Sequence, residues 1–189
     1  SLEAWFAHIP GLVVVAPSTP ADNHGLLLAA LASGDPVVYM EHKELWGTPG
    51  AVTSGDVVPL GKARVARAGS DLTIVSWSRQ MQACEQAAEQ LAAQGVQAEL
   101  IDLRTIWPWD KDAVLQSVAK TCRLLVVHEA IRVAGFGAEI AATVAEETGA
   151  KVARLGAPRI PVGYAPTLEA EARVSAAQIV DAVQKLVAP

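Results

Sequence analysis

Short continuous apolar runs alternate along the chain with stretches whose apolar residues recur every three to four positions. This is the pattern of buried strands separated by amphipathic helices. Leu12 to Val15, bounded by Gly11 and Pro17, reads as a buried strand. Thr19 is placed to cap a helix starting at Pro20, where a proline loses no hydrogen bond, and the helix runs to about Ala32. Ser33-Gly34-Asp35 stops it, with Gly34 expected to supply a left-handed turn, and Pro36 to Met40 gives a second buried strand. From Lys43 to Val58 the pattern dissolves into turn residues such as Trp46-Gly47-Thr48-Pro49-Gly50, which predicts a linker between two domains, 1–42 and 59–189.

The second part is more regular. Ala63 to Arg67 alternates apolar and polar residues, and Gly69-Ser70 turns the chain into Leu72 to Val75, predicting a hairpin-like pair. Ser78 is placed to cap a helix whose face is Cys84, Ala87, Ala88, Leu91 and Ala92, ended by Gly95. Ala98 to Leu103 reads as a strand, followed by a helix capped by Asp110 and carrying Ala113, Val114, Ser117 and Val118. Leu124 to Val127 is the most apolar strand. A helix with Ile140, Val144 and Ala145 then closes at Gly149, and Val152 to Leu155 is the last strand. Ser175 caps a terminal helix with Ile179, Val183 and Leu186. Strands alternating with helices predict an α/β fold in three αβα layers around a mostly parallel sheet covered on both faces.

Composition narrows the function classes. The 189 residues are 51% hydrophobic and 19% charged, which is globular rather than disordered. A net charge of −5 without a basic stripe argues against a nucleic-acid partner. Apolar runs such as Leu26 to Ala32 fall far short of the roughly 20 residues that span a bilayer. Cys84 and Cys122 form neither a disulfide framework nor a metal motif, so a reduced, cytoplasmic protein is expected. The chain enters apolar sequence directly after Ser1, in Leu2-Glu3-Ala4-Trp5-Phe6, which predicts a piece of a longer protein.

Candidate chemistry is sparse. Gly135-Phe136-Gly137 at a strand-to-helix turn invites a dinucleotide reading, but Ile140 stands where the fingerprint needs its third glycine. Close backbone packing is the alternative. His128-Glu129 ends the most apolar strand, and a histidine beside a carboxylate can move protons. Neighbours in a strand point to opposite faces, so the two need not converge. Arg104, with Trp107 and Trp109 nearby, is placed to bind an anion or partner, or to stack on tryptophan and close a core edge. Glu41-His42-Lys43-Glu44 has the composition of a ligand cluster and equally of a solvated strand end.

Several stretches together resemble the beta subunit of the thiamine-diphosphate-dependent decarboxylating component of 2-oxo acid dehydrogenases, the family of the pyruvate, branched-chain 2-oxo acid and acetoin enzymes. They are Ser1 to Phe6, His8-Ile9-Pro10-Gly11-Leu12, Pro17-Ser18-Thr19-Pro20, Asp35-Pro36-Val37, Glu41-His42-Lys43, Pro59-Leu60-Gly61-Lys62-Ala63, Ile101-Asp102-Leu103-Arg104-Thr105 and Gly135-Phe136-Gly137-Ala138-Glu139-Ile140. They occur in family order and cover nearly the whole chain. The resemblance implies the tail of a pyrimidine-binding domain followed by a transketolase C-terminal domain. It also implies thiamine diphosphate with magnesium, an alpha subunit and a second beta subunit in a heterotetramer, and a lipoyl-bearing acyltransferase docked on the C-terminal domain.

The family's catalytic histidine, in a His-Ser-Gln run, and its cofactor-activating glutamate fall ahead of Ser1. The resemblance therefore names no catalytic or cofactor-binding residue in this chain, and predicts that the chain alone does not turn over. It does carry over a potassium site built from main-chain oxygens, matching Ala30, Ser33 and Asp35. Trp46 departs from the family's commoner tyrosine. Two readings of other classes compete: a non-catalytic α/β interaction module and a nucleotide-binding domain.

Overall fold

The computed structural model describes residues 1–188. A short helix, α1 (Glu3–Ala7), leads into strand β1 (Val13–Val15), helix α2 (Pro20–Ala32) and strand β2 (Val37–Tyr39), which lies parallel to β1. Thr19 caps α2, its Oγ1 accepting from the Asp22 amide at 3.1 Å, with Pro20 at the first helical position as the sequence predicts. Gly34 does not take the expected left-handed turn, because the cap residue Ser33 already leaves the helix in extended conformation (φ −69°, ψ 145°). The second strand is half-buried rather than buried, since β2 is an edge of its sheet.

A single 3-10 turn (Lys43–Leu45) and open turns occupy the expected linker. Its end is laid against the first lobe. Val58 packs on Gly25, where a Cβ would stand 2.6 Å from the valine methyl, and the Val58 amide donates to the Gly25 carbonyl at 3.1 Å.

The larger sheet holds β3 (Arg64–Arg67), β4 (Leu72–Ser76), β5 (Ala98–Asp102), β7 (Arg123–Ile131) and β8 (Lys151–Ala157) in the order β3-β5-β4-β7-β8, with β3 alone antiparallel. Helices α3 (Gln80–Ala92) and α7 (Ala176–Val187) cover one face; α4 (Lys111–Thr121) and α5 (Gly137–Thr148) cover the other. A short six-residue helix, α6 (Pro166–Glu171), lies between β8 and α7. The alternation of β4 explains the two layers: Leu72 and Ile74 enter the α3–α7 core, while Val75 enters the α4–α5 core. Asp110 caps α4 and Ser175 forms a capping box with Gln178, as their spacing predicts.

Two further expectations are corrected, and one strand appears that no pattern predicts. The pair 63–67 and 72–75 is not a hairpin, because β5 inserts between β3 and β4. Gly69 passes so close to β5 that a Cβ there would lie 2.2 Å from the Ala98 and Glu99 backbone. Ser78 does not cap α3; it adopts a left-handed conformation (φ 52°) in a tight strand-to-helix turn, and Arg79 is the cap. An unforeseen strand, β6 (Thr105–Trp107), leaves the larger sheet and pairs antiparallel with β1. Through it, Val14, Ala16 and Ile106 join the core that holds Val126 and Ile140, so the two lobes share apolar packing.

Candidate functional site

The carboxyl ends of β1 and β2 open into a cleft lined by Ser18, Thr19, Asn23, Glu41, His42 and Trp46. Clefts form at such positions in α/β sheets because the strands' connecting loops diverge there. Asn23 holds the wall: its side-chain amide donates to Glu41 at 2.9 Å, and the Tyr39 hydroxyl donates to its carbonyl oxygen at 2.7 Å. Burial, with the Glu41 and Asp22 carboxylates nearby, pushes the Tyr39 phenol above its ordinary range and keeps it a donor.

The Glu41–Glu44 segment is more than a solvated strand end. His42 Nδ1 accepts from the Glu44 amide at 3.2 Å, so Nε2 carries the proton and faces Glu129 at 3.0 Å. Glu44 lies between two arginines, with Arg79 Nε at 2.7 Å and Arg173 Nη1 at 3.0 Å. The Arg173 hydrogen bond is the chief reason its carboxyl falls to about 2. These contacts join the start of the linker to Glu129 on β7, Arg79 at the start of α3 and Arg173 between α6 and α7. They were hidden from sequence because partners stand 35 to 129 positions apart.

His128 and Glu129 point apart, as strand geometry requires. Glu129 reaches His42, whereas His128 is fully buried. Its ring stacks on Trp77 with centroids 5.5 Å apart, and Nδ1 donates to the Ala130 carbonyl at 2.9 Å. Three glycines close around it: a Cβ at Gly135, Gly137 or Gly156 would meet the imidazole at 2.6 to 2.7 Å. Gly135-Phe136-Gly137 is thus a packing device, and the nucleotide reading loses its only motif. Burial holds the imidazole neutral, with its pKa lowered to about 4.

That burial has a pH signature. Between pH 6.5 and about 4 the unfolded chain protonates this histidine while the folded chain does not, so stability falls as pH drops through that window. One proton across it corresponds to roughly 3 kcal/mol. Denaturant titrations from pH 7 to 4 are expected to show this slope, and His128→Gln to flatten it. An equally steep slope in the variant would assign it to other groups.

The densest charge cluster ties the lobes together. Asp102 on β5 is fully buried; Ser18 donates to it, and Arg64 Nη2 lies at 3.1 Å. Asp22 on α2 receives Arg104 Nη1 at 3.0 Å, with Arg64 Nε at 3.5 Å. Arg104 also donates to the carbonyls of Lys62 (3.0 Å) and Ala63 (3.1 Å). Its guanidinium is committed internally, by ion pairing rather than by stacking on tryptophan, so it does not present an anion site. Burial lifts the Asp102 carboxyl to about 6, with Ser18 and Arg64 pulling the other way.

Ala30, Ser33 and Asp35 fall within one turn at the carboxyl end of α2. The Ser33 amide donates to the Ala30 carbonyl at 3.2 Å, and the Asp35 amide donates to Ser33 Oγ at 3.1 Å. Among the described residues no three His, Cys, Asp or Glu side chains gather to hold a metal ion. No helix among them is long and apolar enough to cross a membrane.

This order of strands, with an antiparallel first edge and a parallel remainder, defines a transketolase-type α/β domain fused to part of a second sheet. Residues 61–179 match the transketolase C-terminal domain family and residues 1–48 the transketolase pyrimidine-binding domain, and the chain belongs to the transketolase C-terminal domain family. It is 43% identical over 189 residues to the Acetoin:2,6-dichlorophenolindophenol oxidoreductase subunit beta of Cupriavidus necator, covering 97% of this chain and 56% of that protein. It is 42% identical over 187 residues to the Pyruvate dehydrogenase E1 component subunit beta of Rhizobium meliloti, covering 96% of this chain and 41% of that one. The fold superimposes on a split-gene transketolase, described as an inactive beta4 tetramer, with a TM-score of 0.87 at 23% identity, over 98% of this chain and 61% of that one. The chain spans about half the length of the curated relatives it matches.

Proposed function

We propose that this chain is part of the beta subunit of a thiamine-diphosphate-dependent 2-oxo acid dehydrogenase. That enzyme would oxidatively decarboxylate a 2-oxo acid, or cleave acetoin, and pass the acyl group to the lipoyl arm of an acyltransferase. The observation that carries the reading is 42–43% identity to such subunits over 96–97% of the chain, which takes in both sheet pieces. Its partners in this reading are an alpha subunit and a second beta subunit in a heterotetramer, working in the cytoplasm with magnesium beside the cofactor.

Thiamine diphosphate supplies an electron sink for the carbanion left by decarboxylation. The described residues do not fit a complete site for it. The cleft's carboxylate, Glu41, would repel a diphosphate, and both ring nitrogens of His42 are engaged. The cofactor is therefore assigned to other segments of the enzyme, and this chain's part is to fix the lobes and present surfaces.

A monovalent cation does fit the turn at Ala30, Ser33 and Asp35. The last carbonyls of a helix lack intrahelical partners and carry partial negative charge, and the Ala30 oxygen, engaged by one amide, keeps a second lone pair. Potassium there would brace the end of α2.

The full-length alpha and beta subunits with thiamine diphosphate, magnesium and potassium are expected to reduce an artificial electron acceptor with pyruvate, 2-oxoisovalerate or acetoin. No reduction with any of the three sinks the reading. Exchanging potassium for choline at equal ionic strength should lower the melting temperature, and an unchanged value removes the cation. A non-catalytic interaction module is the second reading, favoured by the internal commitment of the cleft's polar groups. Calorimetric binding of thiamine diphosphate to this chain alone would count against it.

A further inference from the structure

The outer edge of the larger sheet is built differently from the rest of the surface. β8 is its terminal strand, seven residues long and paired only with β7. It contains no proline, and no described strand bonds to its outer side. An edge of this length presents a row of unpaired backbone groups, a template for another strand.

The edge strand and the turn beside it carry charge of one sign, although Glu129 and Glu139 flank that turn. Segments 130–138 and 150–160 carry Arg132, Lys151, Arg154 and Arg159 and not one Asp or Glu, in a chain with 20 acidic residues. Arg132 and Arg154 stand together, since Arg154 Nη1 donates to the Arg132 carbonyl at 3.1 Å. Neither is paired with a carboxylate among the described residues. They wall a groove between β8 and α5 whose floor is Ala138, Ala141, Ala142 and Val152. Those short side chains leave room for an incoming backbone and its alternate residues.

We propose that the β8 edge binds an extended acidic segment of a partner protein, added as a sixth strand. The backbone of β8 supplies the hydrogen bonds, and Arg132 and Arg154 take the carboxylates on the face turned to α5. A second copy of this chain is the wrong occupant. Antiparallel self-pairing about the strand's midpoint would set Arg154 against its own copy, and like charges directly opposite each other destabilise a sheet. The competing explanation is that these arginines only guard the edge against aggregation, and the test separates the two.

The probes are two end-blocked, fluorescein-labelled octapeptides, one alternating glutamate with valine and the other lysine with valine. The full chain at neutral pH is expected to bind the glutamate peptide, with the amides on the outer side of β8 gaining protection from hydrogen exchange. Arg132→Glu with Arg154→Glu should weaken it at least tenfold and reverse the preference toward the lysine peptide. Arg154→Gln, a gentler change, should give a partial loss at an unchanged melting temperature. Equal binding of both peptides, indifference to the charge reversal, or binding without protection of β8 would each overturn strand addition. So would a dimer of the chain that the same substitutions abolish, because the edge would then serve self-association.

Discussion

Gly69→Ala is expected to destabilise the chain by at least about 3 kcal/mol, at or above the upper end of what overpacking costs. The added Cβ would lie 2.2 Å from the Ala98 carbonyl carbon and the Glu99 nitrogen, a distance no carbon tolerates. Both obstacles are backbone of a central strand, so no side chain can rotate away. Relief requires lifting the 67–72 crossing off β5, which breaks the bonds from the Ser70 and Asp71 amides to the Gln97 carbonyl. Gly34→Ala serves as the control. Its Cβ meets nothing within 4 Å and its φ is not positive, so it should be neutral or stabilise by about 0.5 kcal/mol through the unfolded state. Urea midpoints of the two variants measure the contrast. Similar midpoints would mean that the crossing is not seated on β5.

That crossing also shows where sequence reading stops. Periodicity located β4, α3, β5, α4, α5 and α7 to within a few residues, because each buries one face against a layer and its pattern records the burial. Capping side chains at Thr19, Asp110 and Ser175 were legible for the same local reason. Pairing between strands is not local. A glycine and a serine between two alternating runs look alike whether the chain folds back as a hairpin or crosses a third strand, and only Gly69's approach to β5 decides it. β6 is not legible because its three residues have no period of their own. The polar site was least legible. His42–Glu129 and Arg173–Glu44 are separated by 87 and 129 positions, and charge alone does not say which partner a residue meets. Family resemblance supplied the order of domains, but it is silent on which side chains close the junction.

Arg64→Met is expected to cost about 3 kcal/mol at pH 7, toward the low end for breaking a buried pair because Arg64 is itself about a third exposed. The loss falls on Asp102, which has no exposure and would keep only Ser18 and the Arg104 amide as partners. Asp102 already leans toward protonation, with its carboxyl lifted to about 6. Removing the nearest cation must raise it further. The sign follows from proton counting. An unfolded aspartate gives up its proton near 3.8 while the folded one holds it to higher pH, so the stability gained by holding the proton is lost as pH rises through that interval. The variant should therefore recover stability on acidification from pH 7 toward 5, while the parent recovers less. Asp102→Asn in the Arg64→Met background removes the stranded charge and should restore part of the loss at pH 7, leaving a flatter profile. A double-mutant cycle measured at pH 7 and pH 5 reads this directly. If the two substitutions simply add at both pH values, Arg64 and Asp102 are not coupled, and the Arg64 guanidinium is not what holds the buried carboxylate in its charged form.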